Sequence, residues 1–262
     1  MVHLKFMKAA SLFVLLCGVA VADPTTGRLP IGPGEFVSVL SDGGKTPQTH
    51  VQRFALDRRP VTNAEFLAFV IAQPQWRRGQ VASLFADGDY LSHWAAATEL
   101  GASAQPGQPV TRVSWFPARA YCDSVGGRLP TWYEWEYAAA ADKNQPDARA
   151  DPAWREKILD WYGQPASGGV AEVGQSPANY YGIQDLHGLI WEWVEDFNAL
   201  MVSGDSRDQG DPDKLKFCGA GALSLQDKQN FAVLMRIAFL SALEARSTAR
   251  SLGFRCAVGV PP

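Results

Sequence analysis

The sequence predicts an α+β fold, a single irregular domain with little regular secondary structure. Three observations lead there. The helices carry explicit start signals but are short, and the connections between them are long and rich in turn residues. Nine tryptophans, seven tyrosines and thirteen phenylalanines, 11% of the chain, supply side chains able to hold such connections in place. The 262 residues are 47% hydrophobic and 19% charged, a folding composition. A net charge of −3 with scattered Lys and Arg leaves no electrostatic footprint for nucleic acid. No repeat, low-complexity tract or shift in composition divides the chain.

Residues 1–22 read apart from the rest. Lys5 and Lys8 precede an apolar run that closes on Ala20-Val21-Ala22, the pattern of a secretory signal with its cleavage site. The expected product is one domain, residues 23–262, in the periplasm or secreted. The run is short for a membrane span, and no later apolar stretch reaches about 18 residues, so no span is expected after cleavage. A lipoprotein reading of Cys17 is disfavoured by Leu16, where such signals want a small residue.

Residues 23–50 are rich in Pro, Gly and Thr, with a strand expected around residues 35–40. Thr62 with Glu65, and Thr131 with Glu134, are capping boxes that begin two helices. Between them Ser114 is the expected N-cap of a third, with Pro117 in its first turn and Gly126 or Gly127 as its stop. After residue 141 the stretches "DKNQPDARADPAW" and "GQPASGGVAEVGQSPANYYG" read as turns. Loops this long are functional, disordered, or pinned by something other than core packing.

The segment "DLHGLIWEW" carries the sharpest question. It places Asp185 and Glu192 in an apolar setting where unpaired carboxylates would repel and lose hydration. A hard cation would resolve this, held by the two carboxylates and the carbonyls of Gly188 and Ile190, all oxygen donors of the kind Ca²⁺ takes. Otherwise both acids face solvent and only the tryptophans go inside. The cysteines pose a second question: Cys122, Cys218 and Cys256 imply one pair and one free thiol in an oxidising compartment, and spacing does not choose among them.

Four blocks, "PVTNAEFLAFV", "PVTRVSWFPARAYCDSVGGRLPTWYEWEYAA", "YGIQDLHGLIWEWVEDF" and "LGFRCA", in this order, resemble the formylglycine-generating enzyme or sulfatase-modifying factor family over about residues 30–258. The resemblance implies that family's irregular fold, related to C-type lectins. It implies Ca²⁺ on Asp185, Gly188, Ile190 and Glu192, although Leu189 replaces the usual Asn. It also implies a disulfide between Cys122 and Cys256. Trp191 and Arg236 are candidates for the wall of a groove, with core packing as the alternative for both.

The chemistry departs from the pattern. Copper oxidases of the family bind Cu(I) through two nearby thiolates after a glycine turn, soft ligands suited to that ion. Here those positions fall on Ser224 or Leu225 and on Gln229 or Asn230, while Cys218 lies before the glycines. A second arginine of the family is Leu240, with Arg236 kept. Relatives that use iron need histidines, and His50, His93 and His187 are not spaced as a metal pair. No copper or iron site is therefore assigned. Neither Glu134 with Glu136 nor Glu195 with Asp196 shows the geometry of an acid pair, and no nucleophile elbow or phosphate loop occurs.

Two functions are compatible with this reading. One is an accessory factor that binds or matures a protein or peptide partner. The tail resembles the NirV-type proteins encoded beside copper nitrite reductase, which points to denitrification. The other is a metal-dependent oxidase of a protein or peptide residue, with Cys218, Ser224 and Arg236 as candidate catalytic residues.

Overall fold

The computed structural model describes residues 27–38, 48–163, 169–199 and 231–259. The expected signal segment, Cys218 and Ser224 lie outside them. Strands are short. β1 (Leu29–Ile31), β4 (Phe54–Leu56) and β7 (Ala257–Gly259) form an antiparallel sheet in the order β1-β4-β7. β2 (Gly34–Val37) pairs antiparallel with β3 (Gln48–Val51), setting Glu35 opposite His50. β5 (Trp191–Glu192) pairs parallel with β6 (Leu252–Gly253).

Helices α1 (Asn63–Ala72) and α3 (Trp132–Ala139) begin at the expected capping boxes. The Thr62 and Thr131 hydroxyls accept from the backbone N–H of Glu65 and Glu134, each at 3.3 Å, and each glutamate reaches back to the cap N–H. An arginine six residues earlier doubles each device: Arg59 holds Glu65, and Arg128 holds Glu134. α2 (Trp115–Ser124) follows Ser114, but that hydroxyl does not cap it; it donates to the Phe85 carbonyl at 2.6 Å and ties a loop instead. Gly126, at φ +70°, closes α2, with Gly127 N–H on the Cys122 carbonyl and Gly126 N–H on that of Asp123.

Two helices are not expected from the sequence. α4 (Pro152–Gly163) starts inside the stretch that reads as turns, because Pro152 suits a first helical position and the Asp151 carboxylate takes the Ala153 N–H. α5 (Phe231–Ser241) is mostly apolar, and it buries Val233, Arg236, Ile237 and Leu240.

The core is aromatic. Phe66 meets Phe69, Trp94, Tyr121 and Phe254 at 5.3 to 6.3 Å. Buried indoles bridge distant loops: Trp94 Nε1 donates to Asn63, and Trp193 Nε1 donates to the Val113 carbonyl. Cys122 and Cys256, both fully buried, form a disulfide. It ties α2 to the segment before β7, where Asp57, also buried, accepts the Cys256 N–H and the Arg28 guanidinium. No helix of the described residues is long and apolar enough to cross a membrane.

Candidate functional site

The turn from Asp185 to Ile190 leads directly into β5, and β5 lies beside β6 just ahead of Arg255. Parallel pairing of Trp191 with Leu252 and of Glu192 with Gly253 fixes this juxtaposition. Gly253 packs so closely on the Val110 carbonyl that an added Cβ would lie 2.3 Å from that oxygen, so glycine is required where the strands meet.

Glu192 and Arg255 are both fully buried and form a two-pronged ion pair. Arg255 Nε donates to Oε2 at 2.9 Å and Nη2 to Oε1 at 2.7 Å. Its other bonds go to the carbonyls of Asp57, Arg58 and Gln184, so all five guanidinium N–H groups are used. Trp135 Nε1 adds a third bond to Glu192, at 2.9 Å. The positive group beside Glu192 is therefore an arginine 63 residues away in sequence. Sequence reasoning passes over Arg255, although it is the one charged residue of "LGFRCA".

Asp185 does something different. It is buried, in the left-handed region at φ +61°, and its carboxylate accepts the backbone N–H groups of Gly174 and Ser176. Gln184 joins it by donating to the carbonyls of Gly174 and Ser176. The long loop around residue 175 is thus pinned by side chains, not by core packing.

The donor chemistry can be tested against a hard cation. Among the described residues, no donor reaches the carbonyls of Gly188 or Ile190, although Ile190 is buried. Glu192 Oε1 accepts one bond, and each Asp185 oxygen accepts one, so lone pairs are left on both carboxylates. These four residues fit an oxygen-ligand cation in donor type. Among the described residues no three His, Cys, Asp or Glu side chains converge as metal ligands, so such a site depends on the two carbonyls.

The two candidates for a groove wall are placed in packing. Arg236 is buried, donates to the Glu192 carbonyl at 2.5 Å, and lays its guanidinium 3.5 Å from the Trp135 ring centre. Trp191 is half-buried, stacked on Phe239 at 4.7 Å and against Trp161 of α4 at 5.7 Å. Arg236 thus makes core contacts, where a desolvated guanidinium gains from an indole face.

The histidines stay apart. His187 sits edge-on to Trp135 and Trp154, with Nε2 donating to the Ala139 carbonyl at 2.8 Å. Burial pushes its imidazole down to about 4, and Arg236 and Arg255 act in the same direction. Burial, then Arg112, likewise lowers His93 to about 4, and neither of its ring nitrogens has a hydrogen-bond partner among the described residues. Of the acid pairs, Glu134 serves its cap, while Glu136 accepts from Ser38 and Trp132 in the interior. Asp196 accepts the Trp132 N–H, and Glu195 lies 3.5 Å from Arg119.

Comparison with known proteins agrees with this architecture. The formylglycine-generating enzyme of Bos taurus is 32% identical over 286 residues, covering 90% of this chain and 75% of that protein. The inactive C-alpha-formylglycine-generating enzyme 2 of Bos taurus is 30% identical over 278 residues, covering 90% and 89%. The crystal structure of CarF shares the fold at a TM-score of 0.52 and 18% identity, covering 92% of this chain and all of that one. A family model described as "Sulfatase-modifying factor enzyme 1-like domain" matches residues 19–260, and the chain belongs to that family.

Proposed function

We propose that this protein is an exported accessory factor, a sulfatase-modifying-factor scaffold that binds or matures a protein or peptide partner and does not oxidise a cysteine with copper. One observation carries the reading: the copper-thiolate positions are Ser224 or Leu225 and Gln229 or Asn230, and a lone Cys218 cannot make a two-thiolate site. That the family also includes a protein named as inactive supports a scaffold kept without the oxidase chemistry. The NirV-like tail makes a periplasmic copper or denitrification enzyme the partner class to test first.

The test is an anaerobic Cu(I) titration of the purified protein beside a Cys218→Ser variant. The expected result is no stoichiometric binding by either. Tight binding lost in the variant would overturn the reading and put the oxidase first, with Cys218, Ser224 and Arg236 as the residues to pursue.

Calcium belongs to the same proposal, on Asp185, Glu192 and the carbonyls of Gly188 and Ile190. Its role there is structural: it would fix the turn that carries the 169–182 loop. Calorimetry with CaCl₂ is expected to show one site, weakened at least tenfold by Asp185→Ala, which removes a charged ligand. Equal binding by the variant would remove Asp185 from the site.

A further inference from the structure

A cleft of about 780 Å³ opens between α4 and the 185–188 turn. Trp154 and Trp161, seven residues apart on α4, share one helix face, and both line the cleft. Across from them lie Asp185 and His187. The Nε2–H of His187 is spent on the Ala139 carbonyl, so Nδ1 is left as an acceptor, and it has no partner among the described residues.

The charged lining is unbalanced. Asp142, Asp151 and Asp160 stand against Lys143 and Lys157, a net of one negative charge before Asp185, whose carboxylate is taken by the Gly174 and Ser176 N–H groups, is counted. Asp160 is exposed, and its carboxylate makes no hydrogen bond or ion pair among the described residues. Apart from the two lysines, the polar and aromatic side chains named here offer carboxylate oxygens, an imidazole lone pair or an indole π face. Each of these attracts positive charge or an N–H donor.

We propose that this cleft binds an organic cation, a guanidinium or primary ammonium, with the tryptophans taking its apolar stem and charge and the aspartates taking its N–H groups. The cation has two sources, a free small molecule or a basic side chain presented by a protein partner. The inference does not depend on the accessory role proposed above.

Calorimetry with Nα-acetylargininamide and Nα-acetylcitrullinamide (argininamide and citrullinamide below) is the test, because the two have nearly the same shape and only the first is a cation. Argininamide is expected to bind at least tenfold more tightly. Trp154→Leu is expected to weaken it about fivefold, in line with loss of a cation–π contact. Lys157→Glu, at an exposed position where folding is not at risk, should tighten it by about two- to threefold. A blocked Gly-Gly-Arg-Gly-Gly peptide separates the sources: binding equal to argininamide assigns a partner's side chain, and binding by argininamide alone assigns a small molecule. Equal affinity for citrullinamide, no binding of either amide, or no response to Lys157→Glu would overturn the proposal.

Discussion

Glu134 and Glu192 are each gripped by both prongs of one arginine, but under opposite conditions. Arg128 lies six residues from Glu134, and the pair is partly open to solvent, with side-chain exposures of 35% and 10%. Arg255 lies 63 residues from Glu192, and both side chains are at 0%. The first pair strengthens a helix start that its own segment already specifies. The second joins β5 to the segment after β6 and holds the 185–192 region against the backbone of residues 57 and 58. A pair of the first kind adjusts stability, whereas one of the second kind is a condition of the fold, because neither charge can be left buried alone.

The largest effect should come from breaking the buried pair. Arg255→Met in calcium-free buffer is expected to cost about 3–5 kcal/mol, since Glu192 keeps its charge without its partner. Adding Glu192→Gln should recover much of that loss, which denaturant unfolding of the single and double variants will measure. If the double variant is as unstable as the sum of the singles, the two residues do not act as a pair.

A smaller effect is expected from acid, and it bears on the same buried region. Above pH 6.5 His187 is neutral in both the folded and the unfolded chain. As pH falls, the unfolded chain takes up a proton that the folded one, with its imidazole near 4, refuses, so stability drops until about pH 4. The total is about 3 kcal/mol. His93 works in the same direction. His187→Phe should flatten the fall in melting temperature between pH 6.5 and pH 5, and an unchanged slope would assign the fall to other groups.

The smallest effects belong to the caps. Thr62→Ala and Thr131→Ala should each cost about 1 kcal/mol, and the two losses should add in the double variant, because the helix starts are separate. A cap variant as costly as Arg255→Met would erase the distinction between the two kinds of pair.

The same contrast explains what can be read in advance. Thr62 with Glu65 and Thr131 with Glu134 are legible because a capping box is a statement about residues three apart. Ser114 is the instructive exception: it stands at the cap position, but its hydroxyl goes to Phe85, a partner that only the tertiary structure could offer. Helix α4 is hard to read because Trp154, Ile158 and Trp161, at positions i, i+4 and i+7, are few on the face they share, and its first residues read as turn. For Arg236 the sequence leaves groove and core both open, because it carries no sign of whether a guanidinium will find an indole.

By itself, the sequence determined the α+β class, the two boxed helix starts and the identity of the family. These follow from residue types and short spacings, which chain connectivity alone controls. The tertiary structure decided that Arg255 answers Glu192, that Asp185 pins the loop near residue 175, and that α4 faces the 185–188 turn across a cleft. Those pairings join segments far apart in the chain, and burial makes their charges and polar groups choose a partner that no local pattern names.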